Sequence, residues 1–126
     1  MIKKTLITVA NNDYEVNFPN VGQLQAIEAM KLALTNGRYV DMTLGGLKTH
    51  NFALDSADAI SYLSILIPEL RKDLQIKSWN DLDPFVAKEL IKAYKGKFMT
   101  WFKPIIDDLY SFDDHNSEEE SEEDGE

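Results

Sequence analysis

The chain of 126 residues is 44% hydrophobic, enough for one modest core and too short for two substantial domains. Its net charge of −9 is uneven: nine of its 22 acids (Asp113, Asp114, Glu118, Glu119, Glu120, Glu122, Glu123, Asp124 and Glu126) lie in residues 113–126, which hold no Lys or Arg, and residues 1–112 balance 13 acids with 13 cations. Having no cysteine, the chain is excluded from disulfide scaffolds, thiolate catalysis and Cys-based zinc or iron–sulfur sites.

Two lysines precede the short apolar run Thr5 to Ala10, but Thr5 and Thr8 interrupt it and Asn11-Asn12-Asp13 ends it, so it lacks the apolar segment of a signal peptide. No stretch approaches the ~18–20 apolar residues of a membrane span. The expectation is a cytoplasmic protein that makes no membrane contact. Residues 3–9 alternate polar and apolar, and so does Tyr14-Glu15-Val16-Asn17-Phe18. The Asn-Asn-Asp sequence between them predicts a β-hairpin, because Asn and Asp tolerate left-handed backbone. A lone hairpin is marginal in water, so its apolar face requires a helical partner.

Pro19-Asn20 breaks the second strand. From Val21 to Thr35, Leu24, Ile27, Met30 or Lys31, and Leu34 recur at helical spacing, Ala26, Ala29 and Ala33 favour a helix, and Asn36-Gly37 supplies a left-handed stop. In residues 38–54 the breaker pair Gly45-Gly46 is flanked by Tyr39-Val40 and Phe52-Ala53-Leu54, which read as short strands of a second hairpin or as an ordered loop. Asp55-Ser56 reads as a helix cap, with Asp58 in the first turn and Ile60, Leu63, Ile67 and Leu70 following at helical spacing. Pro68 predicts a kink, or a stop at Ile67 with a restart on the proline. Residues 77–83 form a polar linker carrying Trp79, and Asp83-Pro84 is a strong start signal for another helix.

From Phe85 to Tyr110 the chain is rich in aromatic and branched residues. At about 100° per residue Leu90, Tyr94, Trp101 and Ile105 fall on one side, with Ile91, Phe98, Phe102 and Ile106 beside them. Pro104 predicts a kink or a split near Lys103. After Phe112 the composition is Asp, Glu, Ser, Asn and Gly, too polar to offset ordering entropy, so residues 113–126 are expected to be a disordered acidic tail. The fold class expected is α+β: a single domain over residues 1–112, with an N-terminal β-hairpin packed on a small bundle of three to four helices.

Chemistry-bearing patterns are sparse. His50 and His115 have no second nitrogen ligand at usable spacing, Gly45-Gly46 lacks the Lys-Ser/Thr of a phosphate loop, and adjacent acids such as Asp107-Asp108 project about 100° apart on a helix and share a metal poorly. No catalytic residue, metal or cofactor is expected, and the chain reads as a non-enzyme. Ser117 and Ser121, each followed by acids, resemble acidophilic kinase sites. Lys88, Lys92 and Lys95 beside aromatics hint at nucleic acid, but the neutral body and acidic tail argue against direct binding of it. Those lysines read as a solvated face on which the tail can fold back. The aromatic stripe reads either as core or, in part, as a surface for another protein through Tyr94, Phe98, Trp101, Phe102 and Ile105. An acidic block beside it would keep it soluble and steer basic partners.

The hairpin opening, Asn17-Phe18-Pro19 leading into Gln23-Leu24-Gln25-Ala26-Ile27-Glu28, Leu66-Ile67-Pro68-Glu69-Leu70, and Tyr94 to Phe102, with the small size and acidic end, resemble tail-assembly or morphogenesis accessory proteins of tailed bacteriophages. The likeness covers most of residues 1–110. It implies a helical body without enzymatic activity that binds an extended virion protein and prevents its premature aggregation, in the host cytoplasm or associated with the virion. No functional residue is carried over, because the family has no motif of fixed role. The alternative expectation is an acidic nucleic-acid mimic that inhibits a DNA-binding protein.

Overall fold

In the computed structural model, which describes residues 3–44 and 48–111 and the side chains of residues 3–44 and 51–111, strands β1 (Lys4–Val9) and β2 (Asn12–Asn17) pair antiparallel from Lys4↔Asn17 to Val9↔Asn12. The turn is Ala10-Asn11, both at positive φ (49° and 68°), whose backbone twist suits a two-residue hairpin. Of the expected turn triplet only Asn11 is in the turn, and Asn12 and Asp13 have joined β2. Alternation puts Ile7, Val9, Tyr14 and Val16 on one buried face.

Helix α1 (Val21–Leu34) opens with a reciprocal cap. Asn20 Oδ1 accepts from the Gln23 N–H at 2.8 Å, and Gln23 Oε1 accepts from the Asn20 N–H at 3.0 Å. It ends as the sequence predicts, with Asn36 and Gly37 at positive φ and the Gly37 N–H donating to the Leu32 carbonyl at 2.7 Å.

Residues 38–54 overturn the strand-or-loop expectation. Tyr39–Thr43 is a short helix, α2, and α3 runs Lys48–Leu66. Asp55 and Ser56 therefore sit inside a helix and do not cap it; Ser56 Oγ donates back to the Phe52 carbonyl at 2.7 Å. Their polarity suits a cap only when nothing upstream is helical, and α3 begins seven residues earlier. His50 lies on α3, and Gly45-Gly46 lies outside the described residues.

α3 stops at Leu66, and the chain restarts two residues after Pro68 as α4 (Leu70–Asp73). Proline disfavours helical backbone at the residue before it and brings no N–H to extend the helix. A 3-10 turn at Trp79–Asp81 leads to α5 (Pro84–Ala93), where Asp83 Oδ2 accepts from the Phe85 N–H at 2.9 Å and Pro84 occupies the first turn.

α5 passes through a π-helical turn, Tyr94–Phe98, into α6, residues 99–111. α6 runs through Pro104, so the helix is not split near Lys103, and the π-helical irregularity lies one to two turns earlier. Spacing explains its position. Leu90, Tyr94, Phe98 and Phe102, each four residues apart, are all buried. On a regular α-helix each such step drifts about 40°, so the row would rotate off the core. One wider turn takes up the drift and keeps all four inward.

The core lies where the hairpin's apolar face, α3 and the α5–α6 rod meet. Ile7, Val16, Ile27, Leu63, Ile67, Leu70, Leu90 and Phe98 are among its fully buried side chains. Each contributes on the order of 1.5–3 kcal/mol by leaving water. The α+β class and the hairpin on a helical bundle are as the sequence predicts. Among the described residues no helix is long and apolar enough to cross a membrane.

Candidate protein-docking site

The aromatic row is knitted together by ring contacts. Phe98 stacks on Phe102 with centroids 5.0 Å apart and on Tyr94 at 5.7 Å, while Tyr62 of α3 meets Tyr94, Phe98 and Phe102 at 5.2, 5.4 and 5.4 Å. Phe18, just after β2, stacks on Phe102 at 5.4 Å and meets Trp101 edge-on at 6.0 Å. Such pairs add about 0.5–1.5 kcal/mol beyond area burial.

Of the five residues expected to dock a partner, Tyr94, Phe98 and Phe102 are buried within the fold, in line with the core alternative that the sequence left open for the stripe. Trp101 and Ile105 are half-buried and keep a solvent-facing part. Helical spacing could not separate the two groups, because the π turn shifts the phase of everything after it. Burial also pushes the Tyr94 phenol well above its ordinary range, reinforced by the charge of Asp58.

What stays open is the far end of α6. Leu109 and Tyr110 are 53% and 58% exposed, and apolar depressions lie on both sides of them. One is a groove of about 400 Å³ between α1, α3 and α6, with Leu24, Tyr62, Met99, Phe102, Ile106 and Tyr110 as its apolar lining. Glu28, Lys103 and Asp107 supply its polar groups, the latter two as an exposed ion pair of 2.9 Å. The other depression, of about 180 Å³, is lined by Lys3, Phe18, Ile105, Asp108 and Leu109. Sequence reasoning missed Leu24, Tyr62, Met99, Ile106 and Tyr110 as lining residues. Leu24 was legible as part of the α1 stripe, whereas nothing local marks Tyr62.

Beside the groove a charged cluster surrounds the buried Lys31. Lys31 Nζ, on α1, lies 2.8 Å from Glu28 Oε2, 5.0 Å from the Tyr62 ring centre and 5.3 Å from that of Tyr39. Burial opposes its charge, but the Glu28 hydrogen bond and the nearby charges outweigh it and raise the pKa. Tyr39 Oη donates to Asp58 Oδ1 at 2.6 Å and tethers α2 to α3. Burial raises the Asp58 carboxyl, against the opposing pull of Tyr39 and Lys31.

Lys95 pairs with Asp55 at 2.8 Å, and Lys88 and Lys92 are exposed. Among the described residues no three His, Asp or Glu side chains are grouped to hold a metal ion. The acidic residues Asp113, Asp114, Glu118, Glu119, Glu120, Glu122, Glu123, Asp124 and Glu126, their expected disorder, His115, Ser117 and Ser121 all fall outside the described residues. Comparison of the chain with family models, with curated proteins and with solved structures gave no match.

Proposed function

We propose that the protein is a non-enzymatic assembly chaperone or structural accessory protein of a phage virion, acting in the host cytoplasm by holding an apolar segment of another protein. The observation that carries this reading is the open apolar end of α6, with a lined depression on either side of exposed Leu109 and Tyr110. Apolar surface rimmed by charged groups is where protein partners dock, and aromatic anchors contribute most to such contacts. The partner is a protein; the sequence's charge distribution favours neither nucleic acid nor membrane.

The test uses co-expressed virion proteins of the encoding phage and follows their aggregation by light scattering. The unaltered protein suppresses aggregation of one of them and co-purifies with it. Leu109→Glu with Tyr110→Ala, both at positions more than half exposed, leaves the circular dichroism and melting temperature nearly unchanged and abolishes both effects. Retention of both effects by the folded double variant would remove α6 as the docking surface, and failure of the unaltered protein on every virion component would remove the chaperone reading.

A further inference from the structure

A second cleft lies on another side of the molecule, independent of the α6 groove. It has a volume of about 670 Å³ and is walled by Leu6, Thr8, Val9, Ala10 and Asn11 of the hairpin and by Glu89, Lys92, Ala93 and Lys97 of α5 and the π turn. Leu6 and Thr8 face away from the core while Val9 faces into it, so a cleft touching all three runs along the edge of β1.

That edge is unpaired. The Phe18 N–H donates to the Lys3 carbonyl at 2.8 Å, which fixes the antiparallel alternation along the register. The N–H and C=O of Lys4, Leu6 and Thr8 accordingly point away from β2. The sheet has two strands, and among the described residues no backbone group outside the hairpin bonds to Leu6 or Thr8. The opposite wall carries Lys92 and Lys97, neither ion-paired among the described residues, against the single acid Glu89. The cleft offers the N–H donors and C=O acceptors of an unpaired strand edge along one wall and a cationic excess along the other, so its complement is an extended peptide segment rich in carboxylates.

We infer that the cleft between β1 and α5 is occupied by the chain's own acidic segment, residues 113–126. That segment holds nine carboxylates and no cation, whereas acids and bases balance over the rest of the chain. It also reaches. α6 is described to residue 111, roughly 20 Å of helix beyond Lys97. The fifteen residues that follow can span up to ~50 Å. Tethering raises the local concentration of the segment to the order of millimolar, which compensates for the weakness of each exposed ion pair. Docked there, the acidic segment covers a strand edge otherwise open to pairing with another chain.

The absence of cysteine allows a direct test on the full chain. A nitroxide on Ser121→Cys is expected to reduce the amide signals of Leu6, Thr8, Ala10 and Lys97 at least twofold at low salt. Raising the salt to about 0.5 M should restore them, since screening acts on exposed charges. Lys92→Glu with Lys97→Glu, both at exposed positions, should restore them as well. Undiminished cleft signals, broadening that ignores both salt and the double charge reversal, or broadening that appears only between nitroxide-labelled and isotope-labelled molecules in a mixed sample would each overturn the assignment.

Discussion

The phenolic hydroxyl of Tyr14 on β2 donates a 2.7 Å hydrogen bond to Asp73 Oδ2 at the end of α4, joining residues 59 positions apart. It ties the hairpin to the turn that follows Pro68, two segments with no local signal linking them. Burial first, then the Asp73 hydrogen bond and charge, push the phenol up to about 12.

A pH dependence follows from that bond. The folded state holds a proton that the unfolded chain releases near its ordinary value of 10.0, so this stabilisation is complete below about pH 10 and is lost as pH rises through about 12. Tyr39, Tyr62, Tyr94 and Lys31 are shifted in the same direction. Urea unfolding at a series of alkaline pH values should show a falling midpoint. Tyr14→Phe should cost about 1 kcal/mol at neutral pH and make that alkaline fall shallower. An equally steep fall in the variant would detach the effect from Tyr14.

Phe98 is 0% exposed and touches rings before and after it in the rod. Phe98→Ala should lower stability by about 3–5 kcal/mol, whereas Tyr110→Ala should stay within about 0.5 kcal/mol. Chemical denaturation of both variants distinguishes the core row from the open end. Similar losses in the two would contradict that division.

Ser61 on α3 is fully buried, and its hydroxyl has no hydrogen-bond partner among the described residues. Removing an unsatisfied buried hydroxyl relieves a desolvation cost of about 1–3 kcal/mol, less the small void left behind. Ser61→Ala is therefore expected to raise the melting temperature, and a lowered one would reveal a bonded hydroxyl.

Gly96 sits in the π turn without positive φ, and outside its chain neighbours and its own helix backbone no atom lies within 4 Å of where a Cβ would stand. Gly96→Ala should stabilise the fold by about 0.4–1 kcal/mol through the unfolded chain's lost freedom. Calorimetry reads this directly. A loss would show that the wide turn depends on glycine.

Lys31→Met keeps the buried stem and removes the cation between the rings of Tyr39 and Tyr62. Its partner Glu28 is largely exposed and loses little, so the expected cost is about 1–2 kcal/mol, mostly the cation–ring contact. Amide exchange should accelerate first in α2, which is held through Tyr39. Uniform acceleration across all helices would show that Lys31 serves the whole core instead.

Signals spanning a few residues were legible in the chain itself. The alternation of β1 and β2, the Asn36-Gly37 stop and the Asp83-Pro84 start each depend on backbone preferences and on bonds to immediate neighbours, which neighbouring sequence suffices to specify. The charge partition was likewise complete in the sequence, since it needs only counting. Tertiary packing decided the rest. Tyr39-Val40 and Phe52 have strand-forming side chains, yet they are helical here, where no further strand is present among the described residues to pair with them. The row Leu90, Tyr94, Phe98 and Phe102 stays inside, while Trp101 and Ile105 keep a solvent-facing part, because a π turn absorbs the row's four-residue spacing against Phe18 and Tyr62. Backbone chemistry is local and can be read along the chain, but which face of a helix is buried depends on what comes to lie against it.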